Sequence, residues 1–197
     1  MPTKPYAESC DQNRDAILAV IQPLLSNSKS VLEIGSGTGQ HAVYFSEKLP
    51  HLIWHTSDRK ENIAGIKLWL DENGGKNTPR PIELDVTQEV WPDISCDTIF
   101  TANTCHIMNQ QSVDAMFNCI GSLIPDGGQL IIYGPFNYNR QYTSDSNERF
   151  DQWLKSRDPE SGIRNFEDLN ILAEKTGMRL VDDYQMPANN RILHWRK

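Results

Sequence analysis

Apolar positions along the chain change period again and again. A 3.6-residue spacing gives way to a short apolar run, and then returns. Ile17, Leu18, Ile21, Leu24 and Leu25 predict a helix whose last turn is distorted by Pro23. Residues 30–34 read as a strand stopped by glycine. Residues 40–49, with Ala42, Phe45 and Leu49 on one face, read as a helix. A strand over 52–56 and a helix over 62–72 follow, the helix ended by Asn73-Gly74-Gly75. Further strands are predicted over 81–84, 98–102 and 129–133, with a helix from Ser112 through Val113, Met116, Phe117 and Ile120 between the last two. Residues 135–147 are too polar for a core element and too long for a plain connection, and predict a lid-like loop. A helix over 149–155, a helix over 166–176 with Asn165 as N-cap, and strands over 178–185 and 191–195 complete the chain. Such alternation predicts an α/β fold of the Rossmann-like kind, with helices on both faces of a mainly parallel sheet. Seven strands fit, the last antiparallel because its connection is too short for a crossover helix.

Composition narrows the class. At 197 residues one domain is expected. Hydrophobic residues at 38% and charged residues at 23% exclude a collagen-like, coiled-coil or fully disordered chain. The apolar runs fall far short of the ~20 residues that span a bilayer, and the polar start of the chain has no apolar signal region. A net charge of −7 argues against a nucleic-acid partner, since phosphates are repelled on average. Cys10, Cys96, Cys105 and Cys119 are scattered and no His cluster completes a metal set, so no metal is expected. Reduced thiols fit a cytoplasmic protein.

The sharpest chemical signal is Val31-Leu32-Glu33-Ile34-Gly35-Ser36-Gly37-Thr38-Gly39-Gln40-His41. An apolar strand runs into a glycine-rich turn and then a helix, the place where doubly wound sheets bind ligands. The dinucleotide pattern is G-x-G-x-x-G. Here the third glycine comes one residue early and Gln40 takes its place. Glu33 would repel a pyrophosphate but suits an ammonium group. The pair favours a ligand with a cationic head and a nucleoside tail over NAD. Asp58, at the end of the second strand, can accept from both ribose hydroxyls. Asp85 can accept from an adenine amine with the Val86 N–H serving a ring nitrogen, or it is a turn residue.

These residues, with Asn103-Thr104 at the fourth strand end, resemble the class I S-adenosylmethionine-dependent methyltransferases. The resemblance implies strand order 3-2-1-4-5-7-6. It also implies that Gly35, Gly37 and Gly39 contact the methionine part, that Asp58 holds the ribose and that Asp85 holds the adenine. Ser36, Thr38, His41, Arg59, Val86, Asn103 and Thr104 join the implied cofactor-binding set. A narrower likeness covers nearly the whole chain, through Asn103-Thr104-Cys105-His106-Ile107, Tyr133-Gly134-Pro135-Phe136, Thr143-Ser144-Asp145-Ser146-Asn147 and Met186-Pro187-Ala188-Asn189-Asn190. It points to a small methyltransferase-like family of unassigned function.

The implied reaction is methyl transfer from S-adenosylmethionine, leaving S-adenosylhomocysteine, to a small-molecule or protein acceptor. Alignment and exclusion of water can supply roughly 7–11 kcal/mol for such a transfer, so no triad is required. His106 is the candidate base, or else a histidine that shapes the pocket. Tyr133, Phe136 and Asn137 follow the fifth strand, where an acceptor can dock, though the two rings also suit packing. Asn189 and Asn190 either cap a turn or reach the acceptor. Arg14 either pairs with the methionine carboxylate or lies on the surface. The N-terminal segment 1–28 is expected to close over the cofactor. The competing readings are a non-catalytic cofactor-binding module acting through a protein partner and an NAD-dependent oxidoreductase.

Overall fold

A computed structural model describes residues 3–197. The chain divides into two compact units, Met1–Thr101 and Ala102–Lys197. The principal sheet has the order β3-β2-β1-β4-β5-β9-β8. Counting only its seven members, this is the predicted 3-2-1-4-5-7-6.

The first unit holds α1 (Glu8–Leu24), β1 (Ser30–Ile34), α2 (Gln40–Lys48), β2 (Ile53–Asp58), α3 (Lys60–Asn73), β3 (Ile82–Glu83) and all but the last residue of β4 (Thr98–Ala102). β1 pairs in parallel with β2 and β4, and β2 with β3. Val31, Leu32 and Ile34 of β1 are buried, as a strand enclosed on both faces requires. Phe45, Trp54 and Phe100 meet with ring centroids 5.4–5.7 Å apart. Mutually tilted aromatic contacts of this kind stabilise a core beyond the area they bury. α1 starts well before its apolar stripe. Ala7 has no side-chain cap, and the Ala7 N–H donates to Gln40 Oε1 at 2.7 Å instead. Its first two turns therefore depend on α2, which the local pattern cannot reveal.

The second unit holds α4 (Gln110–Leu123), β5 (Gln129–Gly134), β6 (Phe136–Asn137), α5 (Asp145–Arg157), β7 (Arg164–Asn165), α6 (Phe166–Lys175), β8 (Arg179–Gln185), a short 3-10 turn (Pro187–Asn189) and β9 (Arg191–Arg196). β9 runs antiparallel to both β5 and β8, as the short connection predicts. Val113, Met116, Phe117 and Ile120 form the buried stripe of α4, and Phe117 meets Trp195 edge-on. A Cβ on Gly121 would lie 2.3 Å from Thr176 Cβ, so this glycine permits the close approach of α4 to α6.

The structure differs from two of these expectations. The stretch 135–147 is not an irregular lid. Phe136 and Asn137 pair with Arg164 and Asn165 as a separate two-stranded sheet, and residues 145–147 are the first turn of α5. Between them Asn139 and Arg140 take φ of 50° and 59°, and Tyr138 and Gln141 exchange both backbone hydrogen bonds. That is a tight primed hairpin turn. It is held down where the Asn139 N–H donates to Glu167 Oε1 and the Arg140 N–H to Asn165 Oδ1, each at 2.9 Å. Asn165 therefore does not cap α6 with its side chain, which serves Arg140. Among the described residues no helix is long and apolar enough to cross a membrane.

Candidate functional site

In the first unit the residues of interest gather where β1 and β2 end. Gly35, Gly37 and Gly39 take φ of 71°, 58° and 90°, which L side chains adopt at a cost. Gly39 is enclosed, since a Cβ there would lie 3.3 Å from the Ile66 backbone. Gly37 is open, with nothing within 4 Å of a Cβ. The turn is fastened to β2 from both sides. The Ser36 N–H donates to Ser57 O at 3.0 Å, and the Gly37 N–H donates to Asp58 Oδ2 at 2.7 Å. Asp58 Oδ1 also accepts from the Arg59 N–H and from Asn62 Nδ2, each at 2.8 Å. A carboxylate offers about four lone-pair sites, so three are already in use.

Glu33 is 2% exposed. Its Oε2 accepts from Ser36 Oγ at 2.9 Å and Trp54 Nε1 at 3.2 Å. Burial pushes its carboxyl up to about 7, assisted by the charge of Asp58 and opposed by the two hydrogen bonds. Asp85 Oδ1 accepts from both the N–H and the hydroxyl of Thr87. This is the turn geometry of the plainer reading, and those bonds hold the carboxyl below its ordinary range. Val86 is buried beside it.

α1 contributes a second layer. The ring of His41 is buried, with Nε2 2.7 Å from Asn13 Oδ1, and burial lowers its pKa to about 4. Thr38 Oγ1 donates to Gln40 Oε1 at 3.0 Å. Arg14 is half-buried over the Tyr44 ring, with Nη1 2.6 Å from Asp11 Oδ1. Arg14 Nε and Gln40 Nε2 are buried atoms with no hydrogen-bond partner among the described residues. Arg59 points to solvent and pairs with Glu61. Sequence reasoning gave Gln40 no part in the site, yet its Nε2 is one of these buried donors. Its signal was its place directly after the third glycine.

In the second unit His106, Asn103 and Gly134 converge. A Cβ on Gly134 would lie 3.8 Å from His106 Nδ1 and 3.9 Å from Asn103 Oδ1. Asn103 takes φ 58°, a strained position for a non-glycine residue, and its N–H donates to Tyr133 O at 2.9 Å. The hydroxyl of Thr104 turns back to Ala102 O. His106 is 6% exposed and meets Phe150 edge-on. Burial, aided by the charge of Arg164, lowers its pKa to about 4, so the ring is neutral. Tyr133 and Phe136 are buried in the core, as packing residues are. Asn137 Oδ1 is buried and has no partner among the described residues. Asn189 donates to Ser146 Oγ, and Asn190 to Pro187 O within its own turn. Asn190 thus closes the β8–β9 connection, and Asn189 ties it to α5.

The fold is that of the class I S-adenosylmethionine-dependent methyltransferases. The apo S-adenosylmethionine-dependent methyltransferase SibL superposes with a TM-score of 0.81 at 17% identity, covering 96% of this chain and 55% of that one. Human N-acetylserotonin methyltransferase in complex with SAM gives 0.82 at 16% identity, covering 96% and 53%. PigF with SAH gives 0.80 at 15% identity, covering 95% and 56%. The chain thus spans just over half the length of these structures. It belongs to the family described as "Protein of unknown function (DUF938)", which matches residues 4–197.

Proposed function

We propose that the protein transfers a methyl group from S-adenosylmethionine to a small molecule. The observation that carries this reading is the turn from Glu33 to Gly39. A buried acid stands at the strand end, and an open glycine at 37 leaves room for a ligand against the backbone. The residues present fit the cofactor. Glu33 suits the ammonium group. The buried donors Arg14 Nε and Gln40 Nε2 suit the carboxylate. Asp58 has one acceptor position left for a ribose hydroxyl, with Asn62 beside it. Asp85 and Val86 would hold the adenine edge. The sulfonium supplies an activated methyl group when bound.

The chain's own task is then to hold both partners in line and keep water out. In the second unit Asn103, Thr104 and His106 would meet the acceptor. A base works best with a pKa near the working pH, and His106 lies well below it. His106 therefore orients the acceptor by a hydrogen bond and does not collect its proton. This favours an acceptor atom that is already unprotonated at the working pH. Two structural neighbours support a small molecule over a protein: one is the mitomycin 7-O-methyltransferase MmcR, and another is an O-methyltransferase family 2 protein in complex with apigenin.

The test incubates the purified protein with methyl-tritiated S-adenosylmethionine and a cell extract split into small-molecule and protein fractions. Label should enter the small-molecule fraction, and Asp58→Ala should reduce it at least tenfold through lost charge-assisted bonds worth about 1.5–3 kcal/mol. Cofactor binding without transfer to either fraction would overturn the reading in favour of a non-catalytic module.

A further inference from the structure

The loop after β4 carries four successive carbonyls that no helix or strand satisfies, at residues 105–108. Each is taken by one short segment, residues 160–164. Arg164 Nε donates to Cys105 O at 3.0 Å, and Arg164 Nη2 donates to Met108 O. The Gly162 N–H donates to His106 O at 2.9 Å. Ser161 Oγ donates to Ile107 O at 2.7 Å. Arg164 Nη2 also reaches Glu160 O at 3.0 Å, which closes the segment on itself.

The clamp is in turn fixed to α5. Asp151, 1% exposed, accepts from the Ile163 N–H at 2.7 Å and from Tyr142 and Lys155. A Cβ on Gly162 would lie 2.9 Å from Asp151 Oδ1, at a φ of 153° that side chains rarely adopt. Only glycine lets the segment approach both Asp151 and the His106 carbonyl.

A guanidinium presents a rigid planar fork, which a lysine cannot reproduce. Here the fork spans two carbonyls three residues apart, and no carboxylate partner of Arg164 is needed to account for its place. We infer that Arg164 is a positioning residue: with Ser161 and Gly162 it locks the loop so that the His106 ring is held at the strand end beside Asn103 and Gly134. The consequence for catalysis rests on the methyltransferase reading. The consequence for the ring does not.

The experiment follows the His106 ring by NMR in protein carrying ¹³C-labelled histidine, with His106→Gln to assign the signal. Arg164→Lys keeps the charge and loses the fork, and Ser161→Ala removes the hydroxyl that serves Ile107 O together with its longer contact to Asp158 Oδ2. Melting curves establish that each variant folds, and S-adenosylmethionine affinity is measured alongside. In the native protein the ring should stay neutral down to about pH 5. In Arg164→Lys its midpoint should move toward the ordinary value near 6.5 as water enters, with broadened lines, and Ser161→Ala should shift it in the same direction by less. Cofactor affinity should stay within about twofold in both, since the glycine turn is untouched. Lowered melting temperatures with an unaltered His106 titration in both variants would overturn the proposal and leave Arg164 a purely structural residue. Failure of S-adenosylmethionine to bind even the native protein would sink the methyltransferase reading and leave the ring titration as a test of the clamp alone.

Discussion

Glu33→Gln separates the cost of burying this carboxyl from its use. In the native protein the group is enclosed, and its pKa stands at about 7 against an ordinary 4.5. The folded state therefore holds a proton that the unfolded chain releases between those values. Stability must fall as pH rises through that window, because the unfolded state binds fewer protons there. At 1.36 kcal/mol for each pH unit, the full effect is about 3 kcal/mol, absent below pH 4.5 and complete above about 7. Glutamine has the same shape and can still accept from Ser36 and Trp54, but it never ionises. Urea unfolding of both proteins between about pH 5 and pH 8 should show Glu33→Gln gaining on the native protein steadily up to neutrality. A stability difference that stays constant with pH would refute the reasoning, since it would mean that Glu33 is solvated or paired in the folded state. The same carboxyl should make cofactor affinity climb with pH up to about 7, because an ammonium ligand favours the ionised form, and Glu33→Gln should abolish that slope.

Gly39→Ala should destabilise the first unit by about 1–3 kcal/mol in thermal melts, from its positive φ and its contact with Ile66. Gly37→Ala should cost only about 1 kcal/mol of stability, yet weaken adenosyl binding at least tenfold in calorimetry by filling the open cradle. In the second unit, Asp151→Ala should cost about 2–4 kcal/mol in urea unfolding, as it leaves the Ile163 N–H without its acceptor. Burial alone would raise the Asp151 carboxyl, but its bonds to Lys155, Tyr142 and Ile163 outweigh that and hold it below its ordinary value. Its contribution should therefore be present at neutral pH and lost as pH falls through the folded-state value, so native protein and Asp151→Ala should converge in acid.

Much of the frame was legible because the central strands β1, β4 and β5 are short apolar runs, and the helices joining the parallel strands carry a 3.6-residue stripe. The glycine turn was legible for a similar reason: φ above zero at 35, 37 and 39 leaves its mark in residue choice. What stayed hidden depends on partners distant in sequence. β6 and β7 have two residues each, too few for any period, and exist because they pair with each other. The primed turn uses Asn139 and Arg140 where glycine would have announced it, and bonds to Asn165 and Glu167 support that choice. The start of α1 is polar and rests on the side chain of Gln40. Arg164 gave no signal at all, since a lone arginine between a turn and a helix reads as a solvated charge. Asp58 was found correctly at the strand end, but its three existing bonds, which leave little room for a second ribose hydroxyl, could be read only from the folded chain.

The central claim is that the turn from Glu33 to Gly39 is built for an adenosyl ligand with an amino-acid head. A thermal-shift titration of ligand-free protein with S-adenosylmethionine, S-adenosylhomocysteine and NAD side by side tests it most directly. Both adenosyl compounds should stabilise the protein by roughly 2.7 kcal/mol at a hundred times their Kd, several degrees in melting temperature, while NAD leaves it unmoved. A response to NAD alone, or to none of the three, would contradict the account.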